Sequence, residues 1–238
     1  MSRTTKPKRH APDRKQLRIA LRLYDWSEWC RQVIRGVQRY AIECKDWRIF
    51  VAAGPPGMTR ILRDGVVWDG IITGVLQDVR GYQRALKTHN TKVVAISAAI
   101  PHALRHLPRA AIDDNKVAAS IGRHLLSGGF RHLAYSGAIG AKGSDARWDA
   151  MRAFASGANC DLQRFGDFLR KRRPTPALLA KWIKQLPKPV GITSWNMDEA
   201  RQVVEACVRQ KLNVPEQAAV VAWDDDEIIA ETLEPTIS

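Results

Sequence analysis

The chain has 238 residues, 45% of them hydrophobic, and a formal net charge of +14. That length and apolar content support a sizeable core, either one large domain or two small lobes, and exclude disorder throughout. No apolar run approaches the ~20 residues of a membrane span, and the basic N-terminus has no apolar segment of the kind a signal peptide needs, so the expected compartment is the cytoplasm.

Residues 1–16 are polar, basic and contain Pro7 and Pro12, which reads as a flexible arm. Leu17–Leu23 then suits a strand, and Trp29–Ile42 carries a helical face at Val33, Ile34, Val37 and Ala41. Trp47–Ala53 reads as a second strand, ended by Gly54-Pro55-Pro56-Gly57. A short helix is expected over Met58–Asp64, a third strand over Trp68–Gly74, a helix over Gln77–Thr88 and a fourth strand over Lys92–Ser97. A loop and a short extended piece at Ala110–Ile112 lead to a helix over Asn115–Ser127, with Gly128-Gly129 as a strong stop.

The rhythm then restarts. His132–Ser136 reads as a strand, Asp145–Ala155 as a helix and Cys160–Phe165 as a weak strand. Thr175 suits an N-cap and Pro176 the first turn of a helix running to Leu186. Val190–Ser194 is a strand, Asp198–Gln210 a helix and Ala218–Trp223 the last strand. Short apolar strands alternating with helices imply right-handed βαβ units and parallel sheets. The expected organisation is a basic arm over 1–16, an N-terminal α/β lobe over 17–128 and a C-terminal α/β lobe over 129–238, with the changeover near Gly128–Arg131. A cleft between two such lobes is the default ligand site.

Enzyme chemistry has no positive signal. GxGxxG and GxxxxGK[ST] are missing at strand–helix junctions, and Gly54-Pro55-Pro56-Gly57 cannot cradle phosphate because its prolines remove amide donors. HExxH and GxSxG are absent. The histidines do not cluster with carboxylates, and His102 with His106 suits a surface loop better than a metal site. Cys30, Cys44, Cys160 and Cys207 show no CxxC spacing, and Cys207 sits in an apolar helical pattern expected to be buried. No catalytic residue, metal or cofactor is expected.

The remaining signal is polar and aromatic residues at strand carboxyl ends, where open α/β sheets place ligand-facing groups. After the first strand come Asp25, Trp29 and Arg31, where an indole either lines a sugar ring or plugs the core edge. Asp114 or Asn115 suits the cap of the following helix. Arg147 and Arg152 lie on the second lobe's first helix, Asn196 and Asp198 follow the strand at 190–194, and Asp224 opens the acidic run Asp224–Glu227, with Asp226 and Glu227 expected in solvent.

The positive charge itself marks contact with nucleic acid or another polyanion. In the first sixteen residues Arg3, Lys6, Lys8, Arg9, Arg14 and Lys15 face only Asp13, and a second run is Arg170–Arg173. Each run alone reads as a solvated tail or loop. Aromatic residues interleave with neither, so a stacking platform for single strands is not indicated. The arm is expected to touch DNA phosphates without sequence preference.

Over nearly all of residues 17–238 the chain resembles the ligand-sensing domain of xylose-operon regulators, which have a lactose-repressor and periplasmic-binding-protein fold joined to an AraC-type helix-turn-helix domain. The resemblance is carried by Trp29–Tyr40, Asp46–Ile49, Trp68–Ile72, Ile112–Asn115, His124–Tyr135, Asn196–Ala200, Val203–Cys207, Val214–Glu216 and Val220–Glu227. It implies a periplasmic-binding-protein-like pair of parallel-sheet lobes and ligand positions at Trp29, Arg31, an arginine among 147–152, and Asp224. The family's Asn-Asp pair stands here as Asn196-Met197, so a sugar-binding carboxylate is replaced by methionine, and Asp198 substitutes only if the loop shifts by one. A bulky Trp223 or Ala222 stands where the family has glycine.

The resemblance also implies C-terminal crossover segments and a DNA reader beyond Ser238, so a fragment or a truncated frame is expected. The function it implies is a sugar sensor, with a pentose as ligand, whose two lobes control an attached DNA-binding domain. The alternatives are a stand-alone sugar-binding protein and a non-functional remnant. A truncated chain would leave open sheet edges, which makes a homodimer a candidate partner.

Overall fold

The computed structural model describes residues 16–23, 28–52, 61–62, 66–96, 100–138, 140–170, 172–235 and 237. Two four-stranded parallel sheets organise them. In the first, β1 (Leu17–Arg22) lies between β2 (Trp47–Val51) and β3 (Gly70–Thr73), and β3 pairs with β4 (Lys92–Ala95), giving the order β2-β1-β3-β4. The second repeats the plan with β5 (His132–Ser136), β6 (Asp161–Arg164), β7 (Val190–Ser194) and β8 (Ala218–Ala222) in the order β6-β5-β7-β8. The connecting helices are α1 (Glu28–Cys44), α2 (Val79–His89), α3 (Asp114–Ser127), α4 (Lys142–Gly157), α5 (Phe165–Leu169), α6 (Pro176–Gln185), α7 (Met197–Arg209) and α8 (Glu227–Glu231).

Parallel strands buried on both faces read as continuous apolar runs, and β7 is buried at every residue. Side chains alternate between the two faces of each sheet. In the first sheet Ala20, Ile71, Val93 and Ala95 join a cluster with Trp68, Tyr82 and Leu104, while Ile19, Leu21 and Leu23 meet Cys30, Val33 and Val37 of α1. In the second, Ala134, Ile192 and Val220 face α5, α6 and α7, whereas Leu133, Tyr135 and Val221 face α3 and α4. Cys207 is fully buried in the first of these two layers.

The chain divides into compact units at residues 1–110 and 111–238. The boundary therefore precedes α3, whereas the sequence reading put the changeover at Gly128–Arg131, after it. The reason lies in packing. Ala118, Ile121 and Leu125 of α3 bury against Leu133, Tyr135 and Met151 of the second unit. A side chain at Gly122 would run into the ring of Phe154, so glycine lets α3 and α4 approach closely. Gly191 likewise leaves room for Leu125, whose Cδ2 would stand 2.9 Å from an added Cβ. The Gly128-Gly129 pair does end α3, with Gly129 at φ +87°, but it stops a helix without separating the units.

Other differences are local. Ala110–Ile112 lies outside the strands, and the bridge to β4 falls at Arg109. The helix expected from Asp145 starts at Lys142. Thr175 and Pro176 do open α6, with Thr175 accepting from the Leu178 amide at 3.2 Å. Most of the helix expected over Met58–Asp64 and nearly all of the arm over 1–16 lie outside the described residues. No helix among the described residues is long and apolar enough to cross a membrane.

Candidate functional site

The register Ser136–Ser194–Ala222 brings the ends of β5, β7 and β8 level, so the segments that follow them emerge side by side. Asn196 caps α7, its Oδ1 accepting from the Glu199 amide at 2.9 Å. The neighbouring strand end supplies a second cap, because Asp224 Oδ1 accepts from the Met197 amide at 2.7 Å. The start of α7 is thus pinned from two strands, and each side chain keeps further hydrogen-bonding capacity: the Asn196 amide as donor and the second Asp224 oxygen as acceptor.

Arg147 reaches this point from α4. It donates to the Trp195 carbonyl, its guanidinium lies 5.3 Å from the centre of the Trp223 ring, and its Nε is 3.8 Å from Asp114 Oδ1. Arg147 and Asp114 have side chains only 19% exposed, which keeps their mutual field from being screened away. Tyr135 steadies the start of α4 by donating to the Ser144 carbonyl at 2.8 Å, and burial pushes its phenol up to about 12. Burial raises the Asp224 carboxyl above the ordinary range, against the opposing pull of the Met197 amide and Arg147. Burial likewise raises Asp114 in spite of Arg147. The cluster therefore combines a guanidinium, balancing carboxyls, an amide and the Trp223 indole. Such a set suits a neutral polyhydroxylated ligand, with polar groups fixing hydroxyls and aromatic faces covering C–H surface.

Two strand-end residues of the sequence reading stand apart from it. Arg152 is exposed and pairs with Asp149 at 3.0 Å on the outside of α4. Asp198 is exposed in the first turn of α7. In the first unit Asp25 lies outside the described residues. Trp29 packs, half-buried, against the layer of Leu21, Leu23 and Ile96. Arg31 donates to Glu28 at 2.6 Å, and this hydrogen bond is the main cause of a lowered Glu28 carboxyl.

Several polar groups escaped the sequence reading. Glu199 is half-buried and accepts from Ser136 Oγ at 3.3 Å; burial raises its carboxyl. It lines a pocket of about 140 Å³ with Gly137, Phe165, Thr175, Leu179 and Gln202. Ser194 Oγ and Trp223 Nε1 are buried without a hydrogen-bond partner among the described residues. The available signal was Ser136 and Ser194, polar residues closing otherwise apolar strands. In the first unit, Arg22 is buried and donates to the Val75 carbonyl at 2.7 Å and to the Tyr82 hydroxyl at 2.8 Å. Asp226, expected in solvent, caps α8 through the Ile229 amide.

With this geometry in place, the comparisons with known proteins are informative. Residues 123–238 match the periplasmic binding protein-like domain. Across 225 residues the chain is 24% identical to the xylose operon regulatory protein of Escherichia coli K12, covering 90% of this chain and 56% of that protein. The chain therefore spans about half the length of the curated relatives it matches. The structure of the xylose-binding transcription activator xylR superposes with a TM-score of 0.72 at 22% identity, covering 90% of this chain and 55% of that one. A periplasmic binding protein/LacI transcriptional regulator from Alkaliphilus metalliredigens, solved with D-xylulofuranose, gives a TM-score of 0.66 at 16% identity over 93% of this chain and 83% of its own. The fold is periplasmic-binding-protein-like.

Proposed function

We propose that this chain is the sugar-sensing part of a transcription regulator, with a pentose as its ligand. The observation that carries the reading is the convergence of Arg147, Asp224 and Asn196 with the Trp195 carbonyl and the Trp223 ring at the ends of β5, β7 and β8. The similarity to xylose-responsive regulators supports the choice of sugar. Arg147 donates to ring hydroxyls, the outward Asp224 oxygen accepts from one, and the Asn196 amide donates to another. Asp224, half-buried and oriented by the Met197 amide, serves this role better than exposed Asp198. Met197 itself is 5% exposed and packs into the core, so it contributes shape and not charge.

Trp29 and Arg31 of the first unit are also proposed as ligand residues. In a regulator of this kind the sugar favours one arrangement of the two units and thereby biases a joined DNA-reading domain. DNA and a second copy of the chain are the macromolecular partners this reading proposes. Isothermal titration with D-xylose, L-arabinose, D-ribose, D-xylulose and D-glucose tests it. Saturable binding of a pentose, tighter than that of glucose, is expected. Silence across the panel sinks the sensor reading.

A further inference from the structure

Asp167 and Asp198 bracket a segment without a single Asp or Glu, yet it holds Arg170, Lys171, Arg172, Arg173, Lys181, Lys184 and Lys188. Its basic residues have two different fates. Lys188 is turned inward, donating to the Ile183 and Leu186 carbonyls at 2.7 Å each and so closing the end of α6. Arg172 is fixed at the end of α5, donating to the Phe168 and Leu169 carbonyls at 3.0 Å with its guanidinium 5.4 Å from the Phe168 ring centre. Arg170, Arg173, Lys181 and Lys184 remain exposed. Lys181 and Lys184 share one helical face, three residues apart, and the buried Leu179, Trp182 and Ile183 hold the opposite face against the sheet.

We infer that Arg170, Arg172 and Arg173, with Lys181 and Lys184 of α6, bind the phosphate backbone of duplex DNA. Three features select that partner. The segment carries no carboxylate of its own, and Glu199, which lines a pocket with its Thr175 and Leu179, is half-buried, so the exposed charge of the segment is positive, which favours a polyanion. No large hydrophobic side chain of the segment is exposed, so it lacks the apolar face with which a basic helix enters a lipid surface. The aromatics beside these cations are also turned in: Trp182 is buried and the Arg172 guanidinium lies over Phe168, so this part of the segment offers no platform for unstacked bases. What remains is backbone contact, which carries affinity but no sequence preference. This inference does not rest on the sugar reading and can fail or stand without it.

The test is fluorescence anisotropy of a labelled random-sequence DNA duplex with the full chain across a salt series. Two triple variants of equal charge are compared: Arg173→Glu/Lys181→Glu/Lys184→Glu on this face, and Arg39→Glu/Arg84→Glu/Arg123→Glu at exposed positions elsewhere. Loss of three phosphate contacts is expected to flatten the salt slope by about 2.7, at about 0.9 per contact, in the first triple only. A milder Arg173→Gln/Lys181→Gln/Lys184→Gln variant removes the same three contacts without adding repulsion, so the slope should flatten by a similar amount with a smaller loss of affinity, which guards against misfolding. Equal weakening by the two charge-reversal triples assigns the affinity to net charge and overturns the proposal. So does tighter binding to vesicles of anionic phospholipid than to the duplex, if the same face carries it.

Discussion

The two units share one topology but hold their helices differently. In both, the first strand lies second in the sheet and the third strand beside it. Yet α4, sixteen residues long and following the first strand of its sheet, buries Ser144, Ala150, Met151 and Ala155, whereas α1, seventeen residues long and in the same place in the first unit, buries only Cys30 and Ala41. The core side of α1 (Val33, Ile34 and Val37) is half-covered. Equal topology therefore does not give equal anchoring, because the stability of a helix on a sheet follows the apolar area it buries. The second unit has rigid elements on which to hold a set of polar groups in register. In the first unit Arg31 donates to Glu28 within α1.

The sharpest way to break this comparison is to cut into each core. Trp182→Ala, at a side chain 2% exposed and packed on Phe165 at 5.2 Å between ring centres, should destabilise the protein by about 3–5 kcal/mol in urea unfolding. Val37→Ala on α1 should cost about 1 kcal/mol or less. Similar losses in the two variants would mean that α1 is as firmly covered as the helices of the second unit.

A finer probe concerns Glu199. Burial raises its folded pKa above the unfolded value near 4.5, so the native state holds this proton to higher pH than the unfolded chain does. Its contribution is then most favourable at acid pH and declines as pH rises from about 4.5 through the folded value. Glu199→Gln removes that dependence. The difference in thermal midpoint between variant and wild type should grow in favour of the variant over this window and level off above it. A constant difference would show that the carboxyl meets the same surroundings folded and unfolded.

How much of this was legible in the sequence follows from what periodicity can encode. The strand–helix alternation and the polar groups after each apolar run were readable, because parallel strands and their ligand-facing ends leave a direct pattern. The partner of α3 was not. An amphipathic stripe says that Ala118, Ile121 and Leu125 are buried, but not against which sheet. Arg147 and Arg152 could not be separated for a related reason. Five residues on a helix turn the side chain by about 140°, so only one can face the strand ends, and the choice depends on which side of α4 meets the sheet. Glu199 carries no signal of its own, being one of two acidic residues in the first turn of α7 and standing three residues after the Asn196 cap. Its hydrogen-bond donor, Ser136, stands on a strand 63 positions away.

The central claim is that the strand ends of the second unit hold the sugar, and the pair Arg147 and Arg152 tests it most directly. Isothermal titration with the best-bound pentose should show loss of binding, or at least a hundredfold weakening, in Arg147→Ala, where a charged hydrogen-bonding group is removed. Arg152→Ala should bind as the wild type does. Retained affinity in Arg147→Ala, or equal losses in both variants, would contradict the account.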